Sequence, residues 1–204
     1  MKKFFGVFLF LFCCIVVRGQ EVSFLSFLQH FKEVNNIELL AFGDSIIEPN
    51  LTDVSFKPYL SQISSRLSKR KDCTWQSGGY MRKGDIVYVF LQAHLSDYQD
   101  EYSEWFMEPL QTQYLVAIFT KEGKILGSQC IGKCDGMHRF SIDGANGTSF
   151  YVSQFILDAP SMLHDYKGLD YMVKRSKVTV GSKGKIDMRQ IAEYKQHIPD
   201  DELK

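Results

Sequence analysis

The chain has 204 residues, of which 45% are hydrophobic and 14% aromatic, and its 24 basic and 24 acidic side chains cancel. A chain of this length and apolar content can bury one domain-sized core, which excludes collagen-like, coiled-coil and disordered chains. The balanced charge also argues against a strongly basic nucleic-acid binder, so no nucleic-acid partner is expected.

The first nineteen residues have the pattern of a secretory signal peptide. Two lysines precede an apolar run over residues 4–17, and the small residues Val17 and Gly19 stand at the positions that favour cleavage before Gln20. As a helix the run would cover about 21 Å, less than the ~30 Å hydrocarbon core of a bilayer, so cleavage is predicted rather than a membrane anchor. The protein is therefore expected in the periplasm, the outer envelope or the extracellular medium.

Removal of residues 1–19 changes both the charge and the cysteine content of the chain. The mature residues 20–204 carry 21 basic and 24 acidic side chains, a formal charge of −3, and three of the five cysteines. Acylation at Cys13 or Cys14 stays open as an alternative to free secretion.

The three remaining cysteines are Cys73, Cys130 and Cys134. An odd number permits at most one internal disulfide, so the chain is not a disulfide-built scaffold. We predict a bridge between Cys130 and Cys134, because Gly132 lets the chain turn where an extended segment would hold the Cα atoms about 13 Å apart, beyond the ~7 Å limit. Bridges from Cys73 and a fully reduced chain remain alternatives.

Two amphipathic helices are predicted in the N-terminal part. The first runs from Ser23 to Val34, with Ser23 as the N-cap and Phe27 and Phe31 on its apolar face. The second covers residues 57–69. The apolar face of each helix is expected to pack on a sheet.

From Gly84 onward, seven β-branched and aromatic runs separated by turns predict successive strands. The short connections at residues 121–124 and 181–185 require antiparallel hairpins. The expected fold class is α+β, mainly antiparallel β. N-terminal helices (about residues 23–70) pack on a meandering sheet that closes toward a sandwich or barrel, in a single domain over residues 20–204.

An F-x-x-F-L-x-x-F pattern over residues 24–31 follows the signal segment, and Gly-Lys-Ile occurs in two turns, at residues 123–125 and 184–186. In this arrangement the chain resembles small uncharacterised secreted proteins of Bacteroidetes. The resemblance implies a fold and an exported compartment, and no activity.

One motif points to catalysis. Gly43-Asp44-Ser45 ends an apolar run and resembles the nucleophile block of the GDSL or SGNH hydrolases. The resemblance implies Ser45 as the nucleophile, His138 as the base and Asp135 as its orienting carboxylate. In that family the oxyanion asparagine comes before the histidine, but the similar Gly-Ala-Asn-Gly string at residues 144–147 comes after His138. The region between Ser45 and His138 should also alternate strands and helices, whereas from Gly84 onward its pattern is that of successive strands. The sequence therefore favours a non-catalytic chain, with a Ser45 esterase as the alternative.

No metal or cofactor is predicted. Cys130, Cys134 and His138 are spaced four apart, but Gly132 and Gly136 disfavour the helix that would align them as ligands.

The connection after the first predicted strand carries alternating acidic and aromatic residues, including Tyr98, Tyr102 and Trp105. Aromatic side chains exposed on a rigid β scaffold can bind sugars or peptides. The alternative, in which these rings fold back over the sheet, stays open. The predicted function is a non-catalytic binding module of the envelope or cell surface, with an envelope protein or a glycan as the candidate partner.

Overall fold

The structure is a computed structural model that describes residues 23–35, 51, 54–96, 111–135, 138–146, 149–158, 168–181 and 183–199. Among these residues, two short helices, α1 (Phe24–Leu28) and α2 (Lys57–Ile63), and two 3-10 turns, Val54–Phe56 and Leu67–Lys69, precede the strands. The strands are β1 (Cys73–Lys83), β2 (Ile86–Leu95), β3 (Gln111–Thr120), β4 (Ile125–Cys134), β5 (His138–Asn146), β6 (Ser149–Leu157), β7 (Gly168–Val180) and β8 (Ile186–Pro199).

The strands form two antiparallel sheets in which spatial order follows sequence order, β1-β2-β3-β4 and β5-β6-β7-β8. This confirms the mainly antiparallel β class, and the predicted hairpins are confirmed as β3–β4 and β7–β8. Both sheets are open in the described part of the chain, so the predicted closure into a barrel is wrong. Four strands are too few to close a barrel, since small barrels need about eight.

Helix α1 is shorter than the pattern predicts. The Ser23 hydroxyl accepts a hydrogen bond from the backbone N–H of Ser26 at 3.1 Å and begins the helix. Beyond Leu28 the backbone turns and pairs with the edge of β1, where Val34 N–H donates to the Tyr80 carbonyl at 2.9 Å. Because this pairing requires an extended backbone, the helix cannot continue to Val34.

Helix α2 also ends early, at Ile63 instead of residue 69. The Ser128 hydroxyl of β4 donates a 2.6 Å hydrogen bond to the Ile63 carbonyl. Ser64 is extended, and its hydroxyl accepts from the Leu67 N–H at 3.3 Å as the chain enters a 3-10 turn. The Ser128 hydroxyl therefore satisfies the Ile63 carbonyl, and the Ser64 hydroxyl satisfies the Leu67 N–H, where α2 ends.

Two hydrophobic cores lie on opposite faces of the first sheet. The helices share one core with residues such as Val89 and Ala117, and the second sheet shares the other with Phe90 and Ile118. Phe150 of β6 belongs to this second core and packs edge-on to Phe90 at 5.9 Å between ring centroids. Strands β2 and β3 are thus buried on both faces, which explains their nearly continuous apolar sequences.

Contacts between β4 and the second sheet join the two sheets. A Cβ at Gly132 would lie 2.0 Å from the Phe140 ring, so only glycine allows this close approach. The Gln154 amide donates to the Lys133 carbonyl at 2.6 Å and accepts from the Lys133 N–H at 2.9 Å. This side chain satisfies the β4 backbone as a neighbouring strand would.

Strand β1 is the one described strand that the sequence pattern does not indicate. Its register shifts between Ser77 and Gly79, and Gly79 has a φ of 119°, a conformation that favours glycine. The bulge and its glycines interrupt the apolar alternation by which a strand is recognised.

Candidate functional site

Asp135 and His138 lie together where the chain passes from β4 to β5. Their backbones form an antiparallel bridge, and His138 Nδ1 lies 2.7 Å from Asp135 Oδ1. The Asp135 side chain is 3% exposed and that of His138 is 21% exposed. The structure therefore brings together two of the three residues of the predicted catalytic set.

This pair has the geometry of a histidine oriented by a carboxylate. An Nδ1–H that donates to Asp135 leaves Nε2 as the proton-accepting nitrogen of His138. The Lys133 ammonium, 3.6 Å from Asp135 Oδ2, partly offsets the carboxylate charge. The predicted nucleophile, Ser45, lies outside the described residues.

A second Asp–His pair shows that this geometry alone does not identify a catalytic site. His197 Nδ1 lies 2.7 Å from Asp170 Oδ1 on the β7–β8 hairpin, and the two side chains are 55% and 47% exposed. Exposed pairs of this kind contribute little to stability and are common on protein surfaces.

The three cysteines that the structure describes are free thiols, and the predicted Cys130–Cys134 bridge is not formed. Both residues belong to β4 and pair with β3, Cys130 with Leu115 and Cys134 with Thr112, and the irregularity between them is a shift of register and not a turn. Cys73 is buried, and desolvation together with the nearby Asp72 raises the pKa of its thiol to about 11, although Arg70 opposes this shift. The Cys73 thiol is therefore protonated and unreactive at neutral pH.

His94 is a structural residue of the first sheet. Its Nε2 lies 3.0 Å from Gln76 Oε1 on β1, and its Nδ1 lies 2.8 Å from the Thr112 hydroxyl on β3. Because Gln76 Oε1 only accepts, Nε2–H is the donor, and in the neutral ring Nδ1 accepts from the Thr112 hydroxyl. Desolvation lowers the pKa of His94, which favours the neutral ring.

A cavity of about 260 Å³ lies between the segment that follows α2 and the end of the first sheet. Its apolar wall comes from the helical segment and from strands β2 and β3: Ile63, Leu67, Leu95 and Leu115. All four side chains are at most 5% exposed and belong to the core under the helices. The cavity is thus an opening at the edge of a packed layer.

The polar side of the cavity carries two arginines and several amides. Arg70 is paired with Asp72 through two hydrogen bonds, one of them 3.0 Å long, so its charge is compensated. Arg66 is exposed and makes no ion pair with any described residue. Gln111 is only 7% exposed, and its Oε1 accepts from Gln113 Nε2 at 3.0 Å. This leaves the Gln111 amide nitrogen as a donor at the cavity.

The cavity stands at the base of the connection that carries the predicted binding residues. Leu95 ends β2 and Gln111 begins β3, and both line the cavity. The predicted binding residues Tyr98, Tyr102 and Trp105 belong to the connection between them and lie outside the described residues. The cavity itself could not be inferred from sequence, because its walls come from positions with no common motif, such as Arg66 and Cys130.

Within the described ranges, no group of three or more histidine, cysteine, aspartate or glutamate side chains could hold a metal ion. No helix among these residues is long and apolar enough to cross a membrane. Comparison with known proteins finds no matching family model, no matching curated protein and no matching solved structure.

Proposed function

We propose that this chain is an exported, non-catalytic binding module and that its ligand enters the cavity between the α2 segment and the first sheet. The observation that carries the proposal is the cavity itself, which combines apolar side chains with Arg66, an arginine without an ion pair among the described residues, and the amide of Gln111. Small-molecule sites likewise combine apolar surface with polar groups that orient the ligand.

The location of the cavity supports the same function. Residues 97–110 join the two strand ends at the cavity, and they supply the aromatic side chains Tyr98, Tyr102 and Trp105. Ligand sites are commonly formed by connections that a rigid scaffold positions. A glycan or a segment of an envelope protein would then contact this connection while part of it occupies the cavity.

Blocking the cavity tests this proposal. Gln113→Trp places an indole among the lining residues, and Gln190→Trp makes the same substitution on exposed β8 as the matched control. We expect small apolar and amphiphilic molecules that raise the melting temperature of the wild type to act equally on Gln190→Trp and to lose their effect on Gln113→Trp. Equal shifts in both variants, or no shift with any molecule, would contradict the proposal.

The esterase remains the second candidate, because the 2.7 Å contact between His138 and Asp135 is one that a serine hydrolase requires. The test is hydrolysis of p-nitrophenyl butyrate by the wild type, Ser45→Ala, His138→Ala and the control His197→Ala, which removes the other Asp–His pair. The binding proposal predicts the same background rate for all four. An esterase would lose activity in the first two variants and keep it in His197→Ala, because a nucleophile and its base act as a unit.

A further inference from the structure

We propose that the chain forms a dimer in which β8 pairs antiparallel with β8 of a second copy, about a twofold axis at Tyr194. The interaction surface is the outer edge of β8 between Ala192 and Gln196. This surface belongs to the second sheet, so the proposal does not depend on the ligand cavity at the end of the first sheet.

The outer edge of β8 is open in the described part of the chain. Strand β8 is an edge strand of the second sheet and has 14 residues. It pairs with β7 on one side, and no described residue forms backbone hydrogen bonds with its other side. The first sheet differs, because the backbone of residues 32–34 bonds to β1 at Tyr80. An open edge presents N–H and C=O groups to which a further strand can pair.

Large apolar side chains are exposed on the same strand. Met188, Ile191 and Tyr194 are 37%, 50% and 43% exposed, and Leu25 is the one other exposed large apolar side chain among the described residues. Single exposed apolar residues are normal on a protein surface, but three on one edge strand indicate a surface that another strand covers.

A bulge divides β8 into two parts. The register with β7 skips Ile191 and is regular from there to the end of the strand. A bulge interrupts the ladder of hydrogen bonds, so regular pairing with a second copy must lie on one side of it. In the regular part, Glu193 and Lys195 lie on one face of the sheet and Tyr194 lies on the other.

The regular part of β8 is complementary to itself in the antiparallel orientation. When Tyr194 is opposite Tyr194 of the second copy, Glu193 of each copy is opposite Lys195 of the other. Two pairs of opposite charge then form on one face, and two tyrosine rings meet on the other face. Both are types of cross-strand pair that stabilise antiparallel strands. Ala192 is opposite Gln196, so no like charges meet.

The contacts within one chain leave these side chains able to pair. Lys195 Nζ lies 3.3 Å from Asp158 Oδ2, and an ammonium group has three donors. Glu193 Oε2 accepts from Gln190 Nε2 at 2.9 Å, and a carboxylate can accept further hydrogen bonds. A lysine on an edge strand discourages pairing where it meets a like charge, whereas in this register it meets a glutamate.

A second self-complementary stretch lies at the start of β8, where Asp187 and Arg189 flank Met188. This stretch follows the turn that packs against β4, since a Cβ at Gly127 would lie 2.6 Å from the Gly184 carbonyl oxygen. The first sheet therefore limits the approach of a second copy at this end of β8. The geometry favours the axis at Tyr194.

Charge reversal with rescue tests both the dimer and its register. Sedimentation velocity of the full chain over a concentration series should show a monomer–dimer equilibrium. Glu193→Lys and Lys195→Glu should each raise the dissociation constant about fivefold or more, because each replaces two attractive pairs by two repulsive ones. The double variant Glu193→Lys/Lys195→Glu should return to within about twofold of the wild type, because it restores both pairs. A mixture of the two single variants should associate more tightly than either variant alone.

Asp187→Lys is the matched control, because it reverses an exposed charge on β8 outside the paired stretch. Its dissociation constant should stay within about twofold of the wild type. Urea midpoints of all variants establish that they fold. A chain that stays monomeric at every concentration, or a dimer that neither single reversal weakens, overturns the proposal. A dimer weakened by Asp187→Lys and not by Glu193→Lys overturns the axis at Tyr194 and assigns it to Met188.

Discussion

Each ring nitrogen of His94 bonds to a different neighbouring strand, so this residue links three strands of the first sheet at one point. Nε2–H donates to Gln76, and in the neutral ring Nδ1 accepts from Thr112. Because desolvation lowers the pKa of His94 in the folded protein, the unfolded chain binds a proton at this residue more readily than the folded chain does.

We predict that this residue makes the protein less stable in acid. The contribution is complete above the ordinary histidine pKa of 6.5 and is lost as the pH falls through 6.5 toward the lower pKa of the folded state. The free energy of unfolding of His94→Gln should therefore depend less on pH than that of the wild type in this range. Urea titrations at several pH values measure this difference, and parallel profiles would contradict the prediction.

The stability of the fold also depends on Gly132, where β4 contacts Phe140. We predict that Gly132→Ala lowers the free energy of unfolding by about 1–3 kcal/mol, the cost of forcing extra volume into a packed contact. Gly181→Ala is the matched control, because its new Cβ would lie 3.6 Å from the nearest atom, an ordinary contact. Urea midpoints compare the two, and an equal effect of both substitutions would show that the contact with Phe140 is not tight.

At the scale of elements, α1 illustrates how five helical residues are held by packing instead of by helix length. Its fully buried Phe27 contacts Tyr59 of α2 at 4.8 Å between ring centroids and Phe31 at 4.9 Å. A helix this short is not stable alone, so the aromatic contacts must hold it on the sheet.

We predict that Phe27→Ala lowers the free energy of unfolding by about 3–5 kcal/mol, because the substitution leaves a cavity in this core. Leu25 lies on the same helix and is 61% exposed, so Leu25→Ala is the control and should change stability by less than about 0.5 kcal/mol. Chemical denaturation followed by far-UV circular dichroism measures both variants. A wild-type midpoint for Phe27→Ala would mean that α1 does not stabilise the sheet.

The elements that the sequence predicts well are those whose signal is local. Strands β2–β8 coincide with apolar runs, and the hairpin turns follow from the glycines in short connections. The ends of α1 and α2 are not local properties, because the Tyr80 backbone and the Ser128 hydroxyl, both distant in sequence, determine where the chain stops being helical. The cavity could not be predicted from the sequence for the same reason, because its lining residues come together only when the sheet forms.

At the scale of the whole molecule, the described chain forms layers, with short helices on one face of the first sheet and the second sheet on the other. The first sheet is therefore the central layer, and the cavity lies at its end.

Export is the second property of the whole molecule that can be tested. If residues 1–19 are removed, protein recovered from its native envelope should begin at Gln20, and its intact mass should lack those residues, with allowance for cyclisation of the new terminal glutamine. Retention of the segment, or a lipid on Cys13 or Cys14, would contradict free secretion.

The most direct test of the binding account is an amide chemical-shift titration of the full chain with the small apolar and amphiphilic molecules that raise its melting temperature. The account predicts saturable shifts at cavity residues such as Leu67, Gln111 and Ser128, with the exposed residues Met188 and Tyr194 of β8 unchanged. Shifts concentrated on β8, or no saturable shift at the cavity with any of these molecules, would contradict it.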